Sequence, residues 1–205
     1  RINHEFSMKA PLKILFESKH LAHLAQMVDD IKGAPAVQEA EIPKLEKQTS
    51  YELSHAQKRI WFLSTLEKSH HYNILGAWKL TGPLHIQALT KAIGLLTKRH
   101  EALRAVFKSL GGKPVQLIRE DLPPSVTVAN FSLFNEKTRA RRLKQLIQQE
   151  AERVYDLERG PLAQWTIVDM GKEEYYLLCA QHHIISDAWS LSLLIQELEV
   201  AYDAL

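Results

Sequence analysis

YYLLCAQHHIISDAWSLSLLIQELEVAYDAL, residues 175–205, changes its periodicity half-way along. Its first part, YYLLCAQHHII, is almost continuously apolar, the pattern of a strand buried on both faces. Its last part sets Leu191, Leu194, Ile195, Leu198 and Tyr202 on one face of a helix. The strand is expected to end near Ile185, where SDAWS turns the chain into the helix. A buried strand feeding a helix through polar residues implies a sheet packed against helices, and open sheets place their chemistry beyond such strand ends.

Two histidines stand at that end. Side chains alternate across a strand, so His182 and His183 point to opposite faces and cannot both reach one reacting atom. That weakens a paired-histidine metal site. His-x-x-x-Asp on a helix would align both ligands, but Ile184 and Ile185 extend the strand and no third ligand follows at metal-like spacing, so no metal is expected. An imidazole held there can accept a hydrogen bond from an amine or hydroxyl nucleophile, or it can be a satisfied core histidine. Asp187 either caps the helix after it or, if buried, needs a cationic partner. Ser186 and Ser190 lack a Gly-x-Ser-x-Gly elbow and fit helix capping better.

Working outward, the elements alternate. HAQKRIWFLSTLE suggests a helix, and ILGAWKLTG a strand ending at Gly82-Pro83. IQALTKAIGLLTKRHEALRAVF keeps Leu89, Ile93, Leu96, Leu103 and Phe107 in a long amphipathic helix that runs into a strand. Gly111-Gly112 supplies a hairpin turn before VQLI. SVTVANFS leads to a helix over 136–155, and AQWTIVDM joins YYLLCAQHHII across Gly171-Lys172. The predicted class is α+β, a mixed sheet with packed helices. The basic run KTRARRLKQ, 137–145, is read as a solvated helix face, since Ala140, Leu143, Ile147 and Val154 recur at helical spacing. His70-His71 are read as loop residues, and LGGKP as a turn rather than a phosphate loop.

Upstream, PLKILFESKHLAHLAQMVDDI, 11–31, carries Leu15, Leu21, Leu24, Ala25 and Val28 at the spacing of a short amphipathic helix. The stretch KGAPAVQEAEIPKLEKQTS from Lys32, with its prolines and charges, reads as a linker. The expected organisation is a helical piece over 1–31, a linker over 32–49 and a larger domain over 50–205. The 26 basic and 24 acidic residues of the 205 leave a net charge of +2, too small a field to favour nucleic acid or an anionic membrane. No run of 18 apolar residues is present. The single cysteine, Cys179, excludes an internal disulfide and fits a reducing cytoplasm. The start at Arg1 and the end at Leu205 inside a helical pattern suggest a fragment of a longer chain.

Three segments in order carry a family resemblance. SHAQKRIWFL (54–63), RHEALRAVF (99–107) and QHHIISDAWS (181–190) resemble the first three core motifs of condensation domains in nonribosomal peptide synthetases. RINHEFSMKAPLKILFESKHLAHLAQMV resembles the last part of the peptidyl carrier domain that precedes such a domain, without the serine that would carry phosphopantetheine. The resemblance implies a chloramphenicol-acetyltransferase-like fold of two lobes around a tunnel, of which residues 50–205 would be most of the N-terminal lobe. It implies amide-bond formation between a donor acyl thioester and the amine of an acceptor aminoacyl thioester. Both would arrive on phosphopantetheine arms of donor and acceptor carrier domains, with an adenylation domain and the missing C-terminal lobe as further partners. By position, His183 would be the catalytic histidine and His182 a support of the strand. Asp187 would pair with Arg99 or Arg104 of RHEALR. Ala188 departs from the family's glycine, which puts activity in question if that backbone needs a left-handed φ. Without its second lobe the fragment alone is expected to be inactive. The alternative is a non-catalytic or epimerization-type relative that mainly docks carriers.

Overall fold

The apolar run does form the central strand, and the larger part of the chain packs around it. The computed structural model describes residues 13–32, 45–67 and 70–205, and the chain divides into two compact units, 1–46 and 47–205. Most of the expected linker and the first residues of the expected carrier piece lie outside the described residues.

In the first unit the expected helix is two helices, α1 (Lys13–Glu17) and α2 (Leu21–Lys32). Polar side chains explain the break. Ser18 Oγ donates to the Leu15 carbonyl, and His20 Nδ1 accepts the His23 N–H, capping the start of α2 as a short polar side chain does. Ile14 and Val28 are buried, whereas Leu15 and Leu21 are exposed.

In the second unit, β1 (Tyr51–Glu52), α3 (His55–Leu66), β2 (Asn73–Thr81) and α4 (Ile86–Arg99) come first. The chain then passes through a 3-10 turn (Glu101–Arg104) to β3 (Ala105–Leu110), β4 (Lys113–Ile118) and β5 (Ser125–Asn130). Finally α5 (Glu136–Ala151), β6 (Ala163–Gly171), β7 (Glu174–His182) and α6 (Ala188–Asp203) follow. The long amphipathic helix expected to run into a strand within 86–107 stops at Arg99, where Arg104 folds back onto its last turn, and the strand begins at Ala105. Gly111 and Gly112 both take positive φ, 58° and 79°, as a two-residue hairpin between β3 and β4 requires.

Two sheets result. One has the order β1-β4-β3, and the other β2-β7-β6-β5, antiparallel except for the parallel β5/β6 pair. Residues of β7 alternate as the strand pattern demands. Leu177 and Cys179 join Trp165 and Ile167 in a core covered by Leu89, Ile93 and Leu96 of α4 and Leu191, Leu194 and Leu198 of α6. On the other face Val168 and Met170 meet Leu143 of α5, which leaves the basic residues of 137–145 largely on the solvent side. A third core of Leu53, Ala105, Phe107, Leu162 and Ile184 ties the small sheet to the end of β7, with Ile60 and Trp61 of α3 against it. Burying the Leu, Ile and Trp side chains of the first core, at about 1.5–3 kcal/mol each, contributes most to holding these layers together. None of the described helices is long and apolar enough to cross a membrane.

Candidate active site

At its carboxyl end β7 stops at His182, and the expected strand through Ile184 and Ile185 is instead a tight turn. The His182 carbonyl accepts the Ile185 N–H at 3.1 Å, which places His183 and Ile184 at the two central positions. Each amide in the turn has a partner. His183 N–H donates to the Tyr72 carbonyl at 2.7 Å, and Ile184 N–H donates to His182 Nδ1 at 3.2 Å. The Ile184 carbonyl accepts from Gln57 Nε2 at 3.3 Å. The Ile184 side chain, 3% exposed, anchors the turn in the third core. The two histidines therefore do face different environments, through a turn rather than through strand alternation.

His182 is 2% exposed and lies against the rings of Tyr72 and Tyr155, 6.4 and 6.1 Å away between centroids. Burial, and secondarily the neighbouring His183, push its imidazole pKa down to about 4. The ring is neutral at neutral pH. Since Nδ1 accepts the Ile184 N–H, the proton must sit on Nε2, which lies 3.5 Å from Ser64 Oγ. Both nitrogens are committed, so this ring cannot act as a base without breaking the turn. His183 is exposed, and among the described residues its ring makes no hydrogen bond. One histidine is held as architecture and the other is left exposed.

The ion pair implied for Asp187 is not formed. Its Oδ1 accepts the Ser190 N–H at 2.8 Å and the Ser190 hydroxyl at 2.7 Å, which makes it the N-cap of α6. These bonds, the backbone one first, hold its carboxyl below the usual carboxylate range. Both arginines are engaged elsewhere. Arg104, 6% exposed, donates to the carbonyls of Thr97, Lys98 and Arg119 at 3.0, 3.3 and 3.4 Å and to Glu120 at 2.8 Å, closing the end of α4. Arg99 meets Glu197 at 3.1 Å, and the same carboxylate oxygen takes His100 Nε2 at 2.6 Å. Glu197 and Glu120 lie within ion-pair distance of Arg99 and Arg104, and among the described residues Asp187 meets neither arginine.

Ala188 is the first residue of α6, with an exposed side chain and a φ outside the positive region, where only Lys172 and Glu173 lie among the described non-glycine residues. A methyl is accommodated there. A cavity of about 150 Å³ beside the turn is lined by His100, Leu103, Ile185, Trp189 and Leu193 among others, and His183 is not part of its lining. Among the described residues, no group of three or more His, Cys, Asp or Glu could hold a metal ion.

The family model for the condensation domain matches residues 47–205, well over half of the chain. The chain belongs to the condensation-domain family. Malpibaldin synthetase from Mortierella alpina is 34% identical over 196 residues, covering 95% of this chain and 4% of the relative's length. Tyrocidine synthase 3 from Brevibacillus parabrevis is 33% identical over 202 residues, covering 98% of this chain and 3% of the relative. The starter condensation domain of rhizomide synthetase RzmA superposes with a TM-score of 0.71 at 22% identity, covering 77% of this chain and 38% of that one. The first condensation domain of the CDA synthetase superposes with a TM-score of 0.69 at 19% identity, covering 77% of this chain and 41% of that one. The chain thus spans a few per cent of these two synthetases and less than half of the domains it superposes on.

The fold is accordingly a chloramphenicol-acetyltransferase-like lobe of a condensation domain, α+β with a mixed sheet and packed helices. The structure brings His182, His183 and Asp187 to one end of β7, and it places Arg99 in the last turn of α4 and Arg104 in the 3-10 turn that follows. The sequence reading missed Gln57, Ser64 and Tyr72, which hold the histidine turn. One signal was present, because Ser54-His55-Ala56-Gln57 fits the capping-box spacing and forms that box.

Proposed function

We propose that this condensation-domain lobe works in amide-bond formation within a nonribosomal peptide synthetase, with His183 as the catalytic histidine. The observation that carries the reading is the contrast at the end of β7: a buried, doubly committed His182 fixes a rigid turn, and the turn presents an exposed, unbonded His183. The substrates are a donor acyl or peptidyl thioester and an acceptor aminoacyl thioester, each on the phosphopantetheine arm of a carrier domain. The acceptor nitrogen attacks the donor carbonyl carbon, the C–N bond forms, and the C–S bond breaks. The sulfur leaves as thiolate and takes up the proton that the nitrogen releases. An α-amine has a pKa near 8, so a useful fraction is neutral at neutral pH and no strong base is needed. His183 orients that amine and shares the positive charge that develops on it as the tetrahedral intermediate forms.

Carrier and adenylation domains are the natural partners, in the cytoplasm, and the product class is a peptide secondary metabolite such as an antibiotic. The N-terminal unit is read as the last part of the donor-side carrier, supported by similarity to tyrocidine synthase 3 that extends over 98% of the chain. Alone, the 205 residues should not turn over. The test of the reaction class uses the synthetase module that contains this lobe, with loaded donor and acceptor carriers. A dipeptidyl thioester on the acceptor carrier is expected, and none when the acceptor amine is acetylated; product from the blocked acceptor, or none from the free one, overturns the reading.

A further inference from the structure

We infer that Gln57 is a positioning residue for His183, an inference that rests on the catalytic reading of His183. Three hydrogen bonds meet on its amide. Oε1 accepts the Ser54 N–H at 2.9 Å, completing the capping box that starts α3. Nε2 donates to Gln116 Oε1 at 3.1 Å on β4 and to the Ile184 carbonyl at 3.3 Å. The first of these is what any Glu or Gln at the third position of a capped helix supplies. The last is not.

The Ile184 carbonyl belongs to the residue that follows His183, and the Ile184 side chain sits in the third core. Ile184 is held on both sides of its backbone, its N–H by His182 Nδ1 and its C=O by Gln57 Nε2. A half-buried carbonyl that loses its donor is destabilised, so removing Gln57 favours rotation of the turn toward another partner. The His183 backbone turns with it. The side chain of a turn residue moves by ångströms when the adjacent peptide rotates, enough to spoil alignment with a reacting amine.

The neighbours of α3 make this bond matter. Helix α3 has no fully buried side chain. Its polar links to the histidine turn are Gln57 to Ile184 and Ser64 to His182, one at each end of the helix, with Ile60 and Trp61 as apolar contacts between them. A glutamate at position 57 would keep the cap and, with the Gln116 amide reversed, the link to β4. It would lose only the donor to Ile184. The choice of glutamine over glutamate therefore serves the turn rather than the helix.

The experiment measures donor-to-acceptor transfer in the carrier-loaded synthetase module for wild type, Gln57→Glu, Gln57→Leu, His183→Ala and Gln57→Glu with His183→Ala. Amide exchange at residues 183–185 is followed in the same proteins. Gln57→Glu is expected to lower kcat by about 10- to 100-fold, with KM for both carriers within about twofold and the melting midpoint lowered by only a few degrees, the cost of one carbonyl that loses its donor. Exchange at 183–185 should rise while the amides of α3 stay protected, and the Glu change should have no further effect once His183 is alanine. Gln57→Leu should lower both kcat and the melting midpoint, because it also loses the cap. Wild-type kcat and exchange in Gln57→Glu overturn the inference, and so does an equal fold-loss in the His183→Ala background. A wild-type rate in His183→Ala alone overturns the reading of His183 and the inference with it, and that result is visible without any change at Gln57.

Discussion

His182 and His183 are neighbours in sequence with opposite surroundings, and the difference has a pH signature. The unfolded chain holds His182 at its ordinary 6.5, whereas burial lowers it to about 4 in the fold. Between those values the unfolded state binds more protons, so stability falls as pH drops through about 6.5 to 4 and is unaffected by this group above it. At about 1.4 kcal/mol per pKa unit the full effect is at most about 3–4 kcal/mol. His182→Asn keeps an acceptor for the Ile184 N–H but does not titrate. Denaturant unfolding at about pH 7 and about pH 4.5 should show a smaller loss for that variant than for wild type; equal losses would contradict the buried neutral ring. Sequence alternation separated the two histidines on a premise that fails, since β7 ends at His182. It could not show that a turn does the separating, because the donor to the Ile184 carbonyl comes from a helix 127 residues away.

Element boundaries are where local chemistry and long-range packing compete. Asp187 begins α6 as its cap, a role its place before an apolar helical pattern already allowed. The pairing of Arg99 and Arg104 was not legible, because it depends on Glu120 and Glu197 being brought close by β4 and α6. Asp187→Ala should lower the melting midpoint by roughly 2–4 °C. Asp187→Ser should restore most of it, since serine caps without charge. Failure of serine to rescue would point to an ion pair after all. Ala188→Gly belongs in the same series. The residue already sits in helical backbone, so glycine should not raise the transfer rate and should cost below about 1 kcal/mol. A clear gain in rate would mean that the methyl obstructs the substrate.

For the molecule as a whole, the alternation of strand and helix patterns was legible because each core repeats its own period: Leu89, Ile93 and Leu96 on α4, Leu191, Leu194 and Leu198 on α6, and Trp165 and Ile167 on β6. The order of strands was not, since β2 pairs with β7 across about a hundred residues and no local pattern encodes that pairing. What the pairing accomplishes is specific. It sets Asn73 opposite His182 and brings the Tyr72 carbonyl to the His183 N–H, so the sheet, a helix and a core isoleucine all converge on the turn that carries one exposed imidazole. The most direct measurement is single-turnover peptide transfer in the carrier-loaded synthetase module, wild type against His183→Ala, with the melting midpoint recorded for both. A slowing of about 10²- to 10⁴-fold with an unchanged midpoint is the predicted result, and equal rates in the two proteins would contradict the assignment of His183.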